Sequence, residues 1–225
     1  MKIGVITFPG SNCDHDLVRA MKNLGATVEP LWHKETDLKG CDFIFLPGGF
    51  SYGDYLRSGA IARFSPIMNE VVKHAERGGY VMGICNGFQI LTEARLLEGA
   101  LIRNNSMNFS CKNVYIKAGS RQTILTRRLE TRAYKVPIAH AEGNFYCPDY
   151  TLKELEANDQ VIFRYCDANG KEGGDANPNG SLNNIAGICN KKRNVFGMMP
   201  HPERAASDLL GNTDGRFILQ AILSN

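Results

Sequence analysis

A cysteine stands between two glycines in the run Gly83-Ile84-Cys85-Asn86-Gly87, where an apolar segment meets residues with helical spacing. This G-x-nucleophile-x-G pattern is typical of a strand–turn–helix elbow, which holds a nucleophile above the edge of a sheet. The glycines are needed because side chains at their positions would clash with neighbouring backbone. The positive end of the helix dipole would favour the thiolate form of Cys85. The alternative is a buried structural cysteine beside ordinary turn glycines, and the strand-then-helix context favours the nucleophile.

A nucleophilic cysteine needs a base, and His201 is the candidate among the five histidines. It lies in Pro200-His201-Pro202-Glu203, directly after an apolar run, and the flanking prolines keep a helix from starting there. In an extended chain His201 and Glu203 point to the same side, so Glu203 can accept a hydrogen bond from the imidazole. The segment alone is equally compatible with a surface turn. Together with the elbow, it predicts a catalytic triad of Cys85, His201 and Glu203.

A pair of glycines, Gly48-Gly49, follows another apolar run. In open α/β sheets, ligands bind beyond the carboxyl ends of the strands. A glycine pair there can direct a backbone N–H at a developing oxyanion, with a second N–H from the residue after the nucleophile. The pair by itself is also compatible with an ordinary turn.

The elements that must position these residues alternate between apolar strands and helices in the first half of the chain. Strands are predicted at Lys2–Thr7, Thr27–Trp32, Asp42–Pro47 and Tyr80–Ile84, and helices at Asp14–Leu24 and Asn86–Leu97. A further helical region, in two pieces divided at Pro66, is predicted between Gly48-Gly49 and Gly78-Gly79. This alternation predicts an α/β fold with an open, mostly parallel sheet covered by helices on both faces.

The second half of the chain has more strands and fewer helices. Strands are predicted at Asn113–Ala118, Ala133–His140, Asp159–Tyr165, Ile185–Ile188 and Asn194–Met199, with a closing helix at Asp214–Ser224. The Gly-, Asn- and Pro-rich stretch Asp167–Asn184 is predicted to be mostly loop. We therefore expect a smaller antiparallel elaboration within a single domain spanning residues 1–225.

Composition excludes several classes of protein. The chain has 225 residues, 43% of them hydrophobic, and a formal net charge of +3, which argues against disorder and against nucleic acid as a partner. We expect no membrane association, since no run approaches the roughly 20 apolar residues of a membrane span. The seven cysteines include no CxxC pair, so no metal site is expected. Without a signal peptide, the cysteines are expected to be free thiols in the cytoplasm.

The motifs together resemble the class I, or triad, glutamine amidotransferases, which have a flavodoxin-like fold. Gly83–Gln89 and Pro200–Glu203 carry this resemblance. The stretches Pro47–Ala62, Asn177–Ile188 and Gly197–Ala205 are similar to the glutaminase subunits of phosphoribosylformylglycinamidine synthases. The resemblance covers nearly the whole chain, and these long ungapped stretches are far more specific than the elbow alone.

The resemblance implies an enzyme that hydrolyses L-glutamine to glutamate and ammonia through a glutamyl thioester on Cys85. His201 would protonate the departing ammonia and activate water, and Glu203 would orient His201. The N–H groups of Gly49 and Asn86 match the oxyanion-hole positions of the family. Substrate-binding positions are matched by Gln89 and the segment Asn104–Phe109, including Asn104 and Phe109 themselves.

The resemblance also implies protein partners. Ammonia would pass to a synthetase subunit, which uses ATP and Mg²⁺ to make formylglycinamidine ribonucleotide in purine biosynthesis, and a small third subunit would bridge the two. This chain has no G-x-x-x-x-G-K-[ST] phosphate-binding loop. We therefore expect no cofactor in this subunit, with the ATP chemistry in the synthetase.

Two features leave alternatives open. Ala141 replaces a glycine expected from relatives, which leaves the role of the adjacent His140 in doubt, and a core or interface histidine is the simpler interpretation.

A basic stretch is either a solvated face or a docking surface for an acidic patch on the synthetase. Its basic residues are Lys117, Arg121, Arg127, Arg128, Arg132 and Lys135, with one acid, Glu130.

Two other classes of function compete with the glutaminase. One is another cysteine-elbow hydrolase or chaperone of the same broad superfamily, although these lack a P-H-P-E segment after the last core strand. The other is a non-catalytic regulatory module that has kept the fold, against which intact Cys85, His201 and Glu203 argue.

Overall fold

The computed structural model describes residues 1–224, which form eleven strands and five α-helices. The strands are β1 (Lys2–Thr7), β2 (Thr27–Trp32), β3 (Phe43–Leu46), β4 (Tyr80–Ile84), β5 (Ala100–Ile102), β6 (Ser110–Ala118), β7 (Tyr134–His140), β8 (Asn144–Tyr146), β9 (Val161–Cys166), β10 (Ile185–Cys189) and β11 (Val195–Met198). The helices are α1 (Asp14–Asn23), α2 (Pro66–Glu76), α3 (Asn86–Glu93), α4 (Asp149–Ala157) and α5 (Asp214–Leu223).

Nine strands form one mixed sheet in the order β2-β1-β3-β4-β11-β10-β9-β6-β7. The first five are parallel to one another, and the remaining pairings, from β11–β10 onward, are antiparallel. The predicted parallel sheet with an antiparallel elaboration is therefore confirmed. The antiparallel strands extend the same sheet, and β5 and β8 form a separate two-stranded ribbon.

Apolar residues explain why the strands pair in this way. All four residues of β3 and of β11 are buried, as are four of the five residues of β4. Strands buried on both faces need a covering layer on each side, which the helices supply. The crossovers β1–α1–β2 and β3–α2–β4 run in opposite directions along the sheet, so right-handed connections place α1 and α2 on opposite faces.

The carboxyl ends of β3, β4 and β11 lie side by side at one edge of the sheet. Leu46 of β3 is in register with Gly83 of β4, and Ile84 of β4 is in register with Met198 of β11. The segments that follow these three strands therefore begin next to one another. They carry the glycine pair, the cysteine elbow and the histidine segment.

No helix within residues 1–224 is long and apolar enough to cross a bilayer.

Candidate active site

The elbow places Cys85 in a strained conformation between β4 and α3. Its φ is +51° and its ψ is −107°, outside the regions that non-glycine residues ordinarily occupy. Both flanking glycines are required. A Cβ on Gly83 would lie 2.4 Å from the carbonyl of Gly87, and a Cβ on Gly87 would lie 1.9 Å from the carbonyl oxygen of Leu46. Close backbone packing therefore holds the turn that presents the Cys85 thiol.

His201 and Glu203 form a buried pair. Nδ1 of His201 lies 2.6 Å from Oε1 of Glu203, and both side chains are 2% exposed. The chain reaches this geometry through a short 3₁₀ turn at Pro202–Ala205, rather than through the extended conformation expected from the sequence. A hydrogen bond from the His201 N–H to the Pro137 carbonyl, 2.9 Å long, fixes the start of the turn.

The charge environment of His201 favours its protonated form. Burial opposes a charge there, but Glu203, with further contributions from the Cys85 and Cys13 thiols, raises the pKa of His201 well above its usual value. The Cys85 thiol lies close enough to the imidazole to affect this pKa, and its own hydrogen bond goes to the carbonyl of Ala139, at 3.8 Å. Since Nδ1 faces Glu203, Nε2 is the nitrogen left to exchange a proton with Cys85, and it forms no hydrogen bond among residues 1–224.

The two backbone N–H groups predicted to form an oxyanion hole belong to Gly49, which follows β3, and to Asn86, which follows Cys85. Gly49 has a φ of +146°, and a Cβ there would lie 2.8 Å from the carbonyl oxygen of Gly10. The hydrogen bonds beside it use the N–H of Phe50 and the carbonyl of Gly48, so they do not engage the N–H of Gly49. Asn86 is the first residue of α3, where N–H groups lack intrahelical acceptors. Both positions match the oxyanion hole that the family resemblance implies, and their role as its donors stays a prediction.

A cavity of about 220 Å³ opens over Cys85. Its lining residues come from the loop after β3, from α3, and from the segments around β5 and β7. They are Gly49, Phe50, Asp54, Ser58, Cys85, Gln89, Arg103, Ala139, His140, Ala141 and Glu142. The cavity therefore combines the thiol with two carboxylates and one guanidinium.

Gln89 lines this cavity, but its side-chain amide already forms hydrogen bonds with other residues of the protein. Its Oε1 accepts a hydrogen bond from the side chain of Asn86, and its Nε2 donates to the carbonyl of Glu142 at 2.6 Å. The Asn86 amide also donates to Asp54 and accepts from the N–H of Ser51. Gln89 and Asn86 therefore tie the elbow helix to both walls of the cavity.

Asn104 lies behind the cavity wall instead of in it. Its amide nitrogen donates to the carbonyls of Asn108 and His140, and its Oδ1 faces the N–H of Gly143 and Nδ1 of His140. All of its polar capacity is used within the protein. The other predicted substrate contact, Phe109, is 51% exposed and is not among the lining residues. Contact of either residue with glutamine stays a prediction.

The same contacts define the tautomer of His140. Because the Asn104 oxygen is an acceptor, Nδ1 of His140 must donate to it, which leaves Nε2 as an acceptor. Nε2 is buried and has no partner among the residues that the structure describes. Burial, and then the charge on His201, lower the pKa of His140 to about 4. His140 is thus a neutral buried histidine, as a core residue would be, but one that also lines the Cys85 cavity.

Several lining residues were not singled out from the sequence. Asp54, Ser58, Arg103 and Glu142 come from three separate loops, so no local spacing connects them. Burial raises the pKa of Asp54, opposed by a hydrogen bond from Ser58 and reinforced by the nearby Glu142. The sequence offered only their nearness to predicted site residues: Asp54 lies shortly after the glycine pair, and Glu142 lies shortly after His140.

Comparison with known proteins identifies the family. A model of the CobB/CobQ-like glutamine amidotransferase domain matches residues 1–215. The phosphoribosylformylglycinamidine synthase subunit PurQ of Chlorobaculum parvum is 56% identical over 228 residues, covering 100% of this chain and 90% of that protein. PurQ of Moorella thermoacetica is 55% identical over 225 residues, covering 99% and 95%.

Solved structures agree. The structure of PurLQS from Thermotoga maritima includes a chain that is 41% identical, with a TM-score of 0.87 and coverage of 99% of this chain and 97% of that one. A glutamine amidotransferase from the same organism has a TM-score of 0.62 at 14% identity, covering 100% and 96%, and shares the fold. The chain therefore belongs to the CobB/CobQ-like glutamine amidotransferase family and, within it, to the PurQ subunits of phosphoribosylformylglycinamidine synthase.

Proposed function

We propose that this chain is a glutaminase subunit of phosphoribosylformylglycinamidine synthase and releases ammonia from L-glutamine through a glutamyl thioester on Cys85. The observation that carries the proposal is the convergence of Cys85 with the His201–Glu203 pair at the ends of β4 and β11. Relatives named as PurQ subunits, at 51–56% identity, supply the specific assignment.

The first half of the reaction transfers the glutamyl group to sulfur. The Cys85 thiolate attacks the side-chain carbonyl carbon of glutamine while His201 holds the proton that left the thiol. The carbonyl oxygen becomes an oxyanion facing the N–H groups of Gly49 and Asn86. His201 then gives its proton to the amide nitrogen, the carbon–nitrogen bond breaks, and ammonia departs.

The second half returns the enzyme to its starting state. Neutral His201 takes a proton from water, and the resulting hydroxide attacks the thioester carbon. The carbon–sulfur bond then breaks to give glutamate and the Cys85 thiolate. Glu203 keeps His201 in one tautomer through both halves, because its carboxylate accepts from Nδ1.

The charged residues of the cavity match the amino-acid end of glutamine. Asp54 and Glu142 supply negative charge for the α-ammonium group, and Arg103 supplies positive charge for the α-carboxylate. Nε2 of His140 offers an acceptor for an N–H of the bound substrate.

The fate of ammonia is part of the same proposal. It passes to a synthetase partner that uses ATP and Mg²⁺ to convert formylglycinamide ribonucleotide to the amidine, with a small third subunit in the complex, and this chain itself needs no cofactor. The PurLQS assembly of the Thermotoga maritima relative supports these partners. We place the complex in the cytoplasm, where a reducing environment suits a catalytic thiol and six further free cysteines.

Alkylation by a glutamine analogue tests this function. The protein, with and without its synthetase partner, is incubated with a diazo-ketone or chloro-ketone analogue of glutamine, and the modified residue is located by mass spectrometry. We expect labelling of Cys85, competition by glutamine, and no labelling of Cys85→Ser. No labelling even with the partner present would favour a non-catalytic module, and labelling that glutamine does not compete would favour another cysteine-elbow hydrolase.

A further inference from the structure

A second buried thiol lies beside the catalytic histidine and has no part in the mechanism above. Cys13 precedes α1 and is 2% exposed, and its thiol lies beside the imidazole of His201, next to Gly48. Its Sγ also donates to Oδ1 of Asn12 at 3.1 Å. Gly48 packs against both groups, since a Cβ there would lie 3.1 Å from this sulfur and 2.6 Å from Cε1 of His201.

Cys13, His201 and Glu203 bring three different kinds of ligand atom together. A sulfur, an imidazole nitrogen and a carboxylate oxygen all lie within 4.8 Å of one another. In a tetrahedral zinc site, bond lengths of about 2.0–2.3 Å separate the ligand atoms by roughly 3.5 Å. A shift of about 1 Å would therefore bring the three to zinc-binding distances.

The hydrogen bonding of the three residues is incomplete. Nδ1 of His201 and Oε1 of Glu203 have only each other, at 2.6 Å, and Oε2 of Glu203 is buried without a hydrogen-bond partner among residues 1–224. Unpartnered buried polar atoms are costly, so the cluster has capacity for a ligand. A dication together with one thiolate, one carboxylate and one neutral imidazole would have no net charge, which suits a buried position.

We propose that Cys13, His201 and Glu203 form a binding site for Zn²⁺, and that zinc bound there switches off the glutaminase. Mixed sulfur, nitrogen and oxygen ligands suit zinc better than the harder cations Mg²⁺ and Ca²⁺. Binding is a ligand exchange: the Cys13 thiol and the His201–Glu203 pair each release a proton to solvent, and water fills the fourth position. His201 is then unable to exchange a proton with Cys85.

A neighbouring cavity large enough for water lies close to this site. It has a volume of about 320 Å³, and its lining includes Glu203, Arg204 and Asp16. Of the three proposed ligands, Glu203 lines this cavity, as does a second arginine, Arg19, and none of the three lines the Cys85 cavity.

Zinc affinity of matched variants of the full chain tests the site. Affinity is measured by competition with a chromogenic zinc chelator, with a phosphine in place of a thiol reductant. Cys13→Ser removes the sulfur ligand, and Cys85→Ala removes the catalytic thiol while keeping the proposed site. Cys41→Ala is the control, because Cys41 is also buried but precedes β3 at the opposite end of that strand.

We expect one zinc per chain, bound at least about tenfold more weakly by Cys13→Ser and within about threefold of wild type by Cys85→Ala and Cys41→Ala. Thermal melting checks that each variant folds, and Glu203→Gln is a second variant expected to weaken zinc binding. Loss of binding in Cys85→Ala with retention in Cys13→Ser would overturn the proposal in favour of a Cys85–His201 site. Equal affinity in all variants would also overturn it.

The inhibition rests on the proposed function, but the binding does not. Zinc inhibition of glutaminase activity is compared with each variant's own zinc-free activity, and Cys13→Ser is expected to need at least about tenfold more zinc. If affinity depends on Cys13 but no variant shows glutaminase activity, the proposed function fails and the zinc site stands. If activity is present but its zinc inhibition is independent of Cys13, the inhibitory role fails.

Discussion

Glu203 determines which nitrogen of His201 can exchange a proton with Cys85. Its Oε1 holds Nδ1 at 2.6 Å, so Nε2 is left for the thiol and for the leaving ammonia. The pair is buried, where the interaction between a carboxylate and an imidazolium is stronger than in water. Glu203 therefore acts on the reaction through the orientation and the charge of His201.

Replacing Glu203 with glutamine should impair catalysis while keeping a side chain of the same size beside His201. Glu203→Gln is expected to lower kcat by about 10²- to 10⁴-fold, because the tautomer and the charge of His201 are no longer fixed. Loss of the carboxylate also lowers the pKa of His201, so the alkaline limb of the pH–rate profile should move to lower pH. Steady-state kinetics across pH measure both effects.

An exposed glutamate provides the control for this prediction. Glu130→Gln removes a side chain that is 76% exposed and should leave the kinetics unchanged. If Glu203→Gln retained both the wild-type kcat and the wild-type alkaline limb, Glu203 would not orient His201.

His140 belongs to the pocket through its unpartnered nitrogen. His140→Asn keeps an N–H for Asn104 near the Nδ1 position and removes the acceptor at Nε2, and we expect KM for glutamine to rise about five- to tenfold, with kcat changed by less than about twofold. Thermal melting of the variant separates this effect from misfolding. An unchanged KM would return His140 to the role of a core histidine.

At the scale of elements, the elbow depends on how closely α3 packs against β3. Gly87→Ala would place a Cβ 1.9 Å from the carbonyl oxygen of Leu46, a backbone atom that cannot move alone. We expect a loss of about 3 kcal/mol or more in the free energy of unfolding, measured by urea denaturation.

Gly25→Ala is the matched change for Gly87→Ala. Gly25 has a φ of +86° with no atom near the added Cβ, so only backbone strain of about 1 kcal/mol is expected. Equal losses at the two positions would show that close packing does not hold the elbow.

The strands that carry the triad could be predicted because each is a continuous apolar run. β4 has the predicted bounds, and β11 differs by one residue at each end. Local periodicity does not predict β5 and β8, because these strands have three residues each and pair only with one another. It also fails for α4, whose buried residues are only Thr151 and Leu155.

Among the site residues too, some could be predicted from the sequence and others could not. Cys85, His201 and Glu203 could be predicted because each lies in a short motif at the end of an apolar strand. Asn104, His140 and Glu142 meet through the connections of β5, β7 and β8, which are distant in sequence. Their hydrogen bonds depend on tertiary packing, so no spacing in the sequence could indicate that Asn104 is saturated and that His140 retains a free acceptor.

At the scale of the whole molecule, the basic stretch before β7 is partly neutralised within the chain. Lys117 pairs with Glu172, and Arg132 pairs with Asp214 and Glu130. Arg127 and Arg128 are exposed and therefore available to an acidic partner surface. They are the residues on which docking by this face would depend.

Charge reversal tests that face. Arg127→Glu together with Arg128→Glu is expected to weaken binding to the synthetase partner by about tenfold or more, because attraction becomes repulsion. Binding is measured by titration calorimetry at low and physiological salt. Lys191→Glu with Lys192→Glu, an equal change at two other exposed residues, should have little effect. Equal binding by both double variants would assign the basic stretch to a solvated face.

The central claim is that Cys85 carries a glutamyl thioester while ammonia passes to the partner. The most direct measurement is rapid acid quenching of the assembled complex with radiolabelled glutamine, followed by peptide mapping of the label. We predict a glutamyl adduct on the Cys85 peptide that hydroxylamine removes and that Cys85→Ser does not form. Glutamine turnover with no label on Cys85, or an equal adduct in Cys85→Ser, would contradict the mechanism.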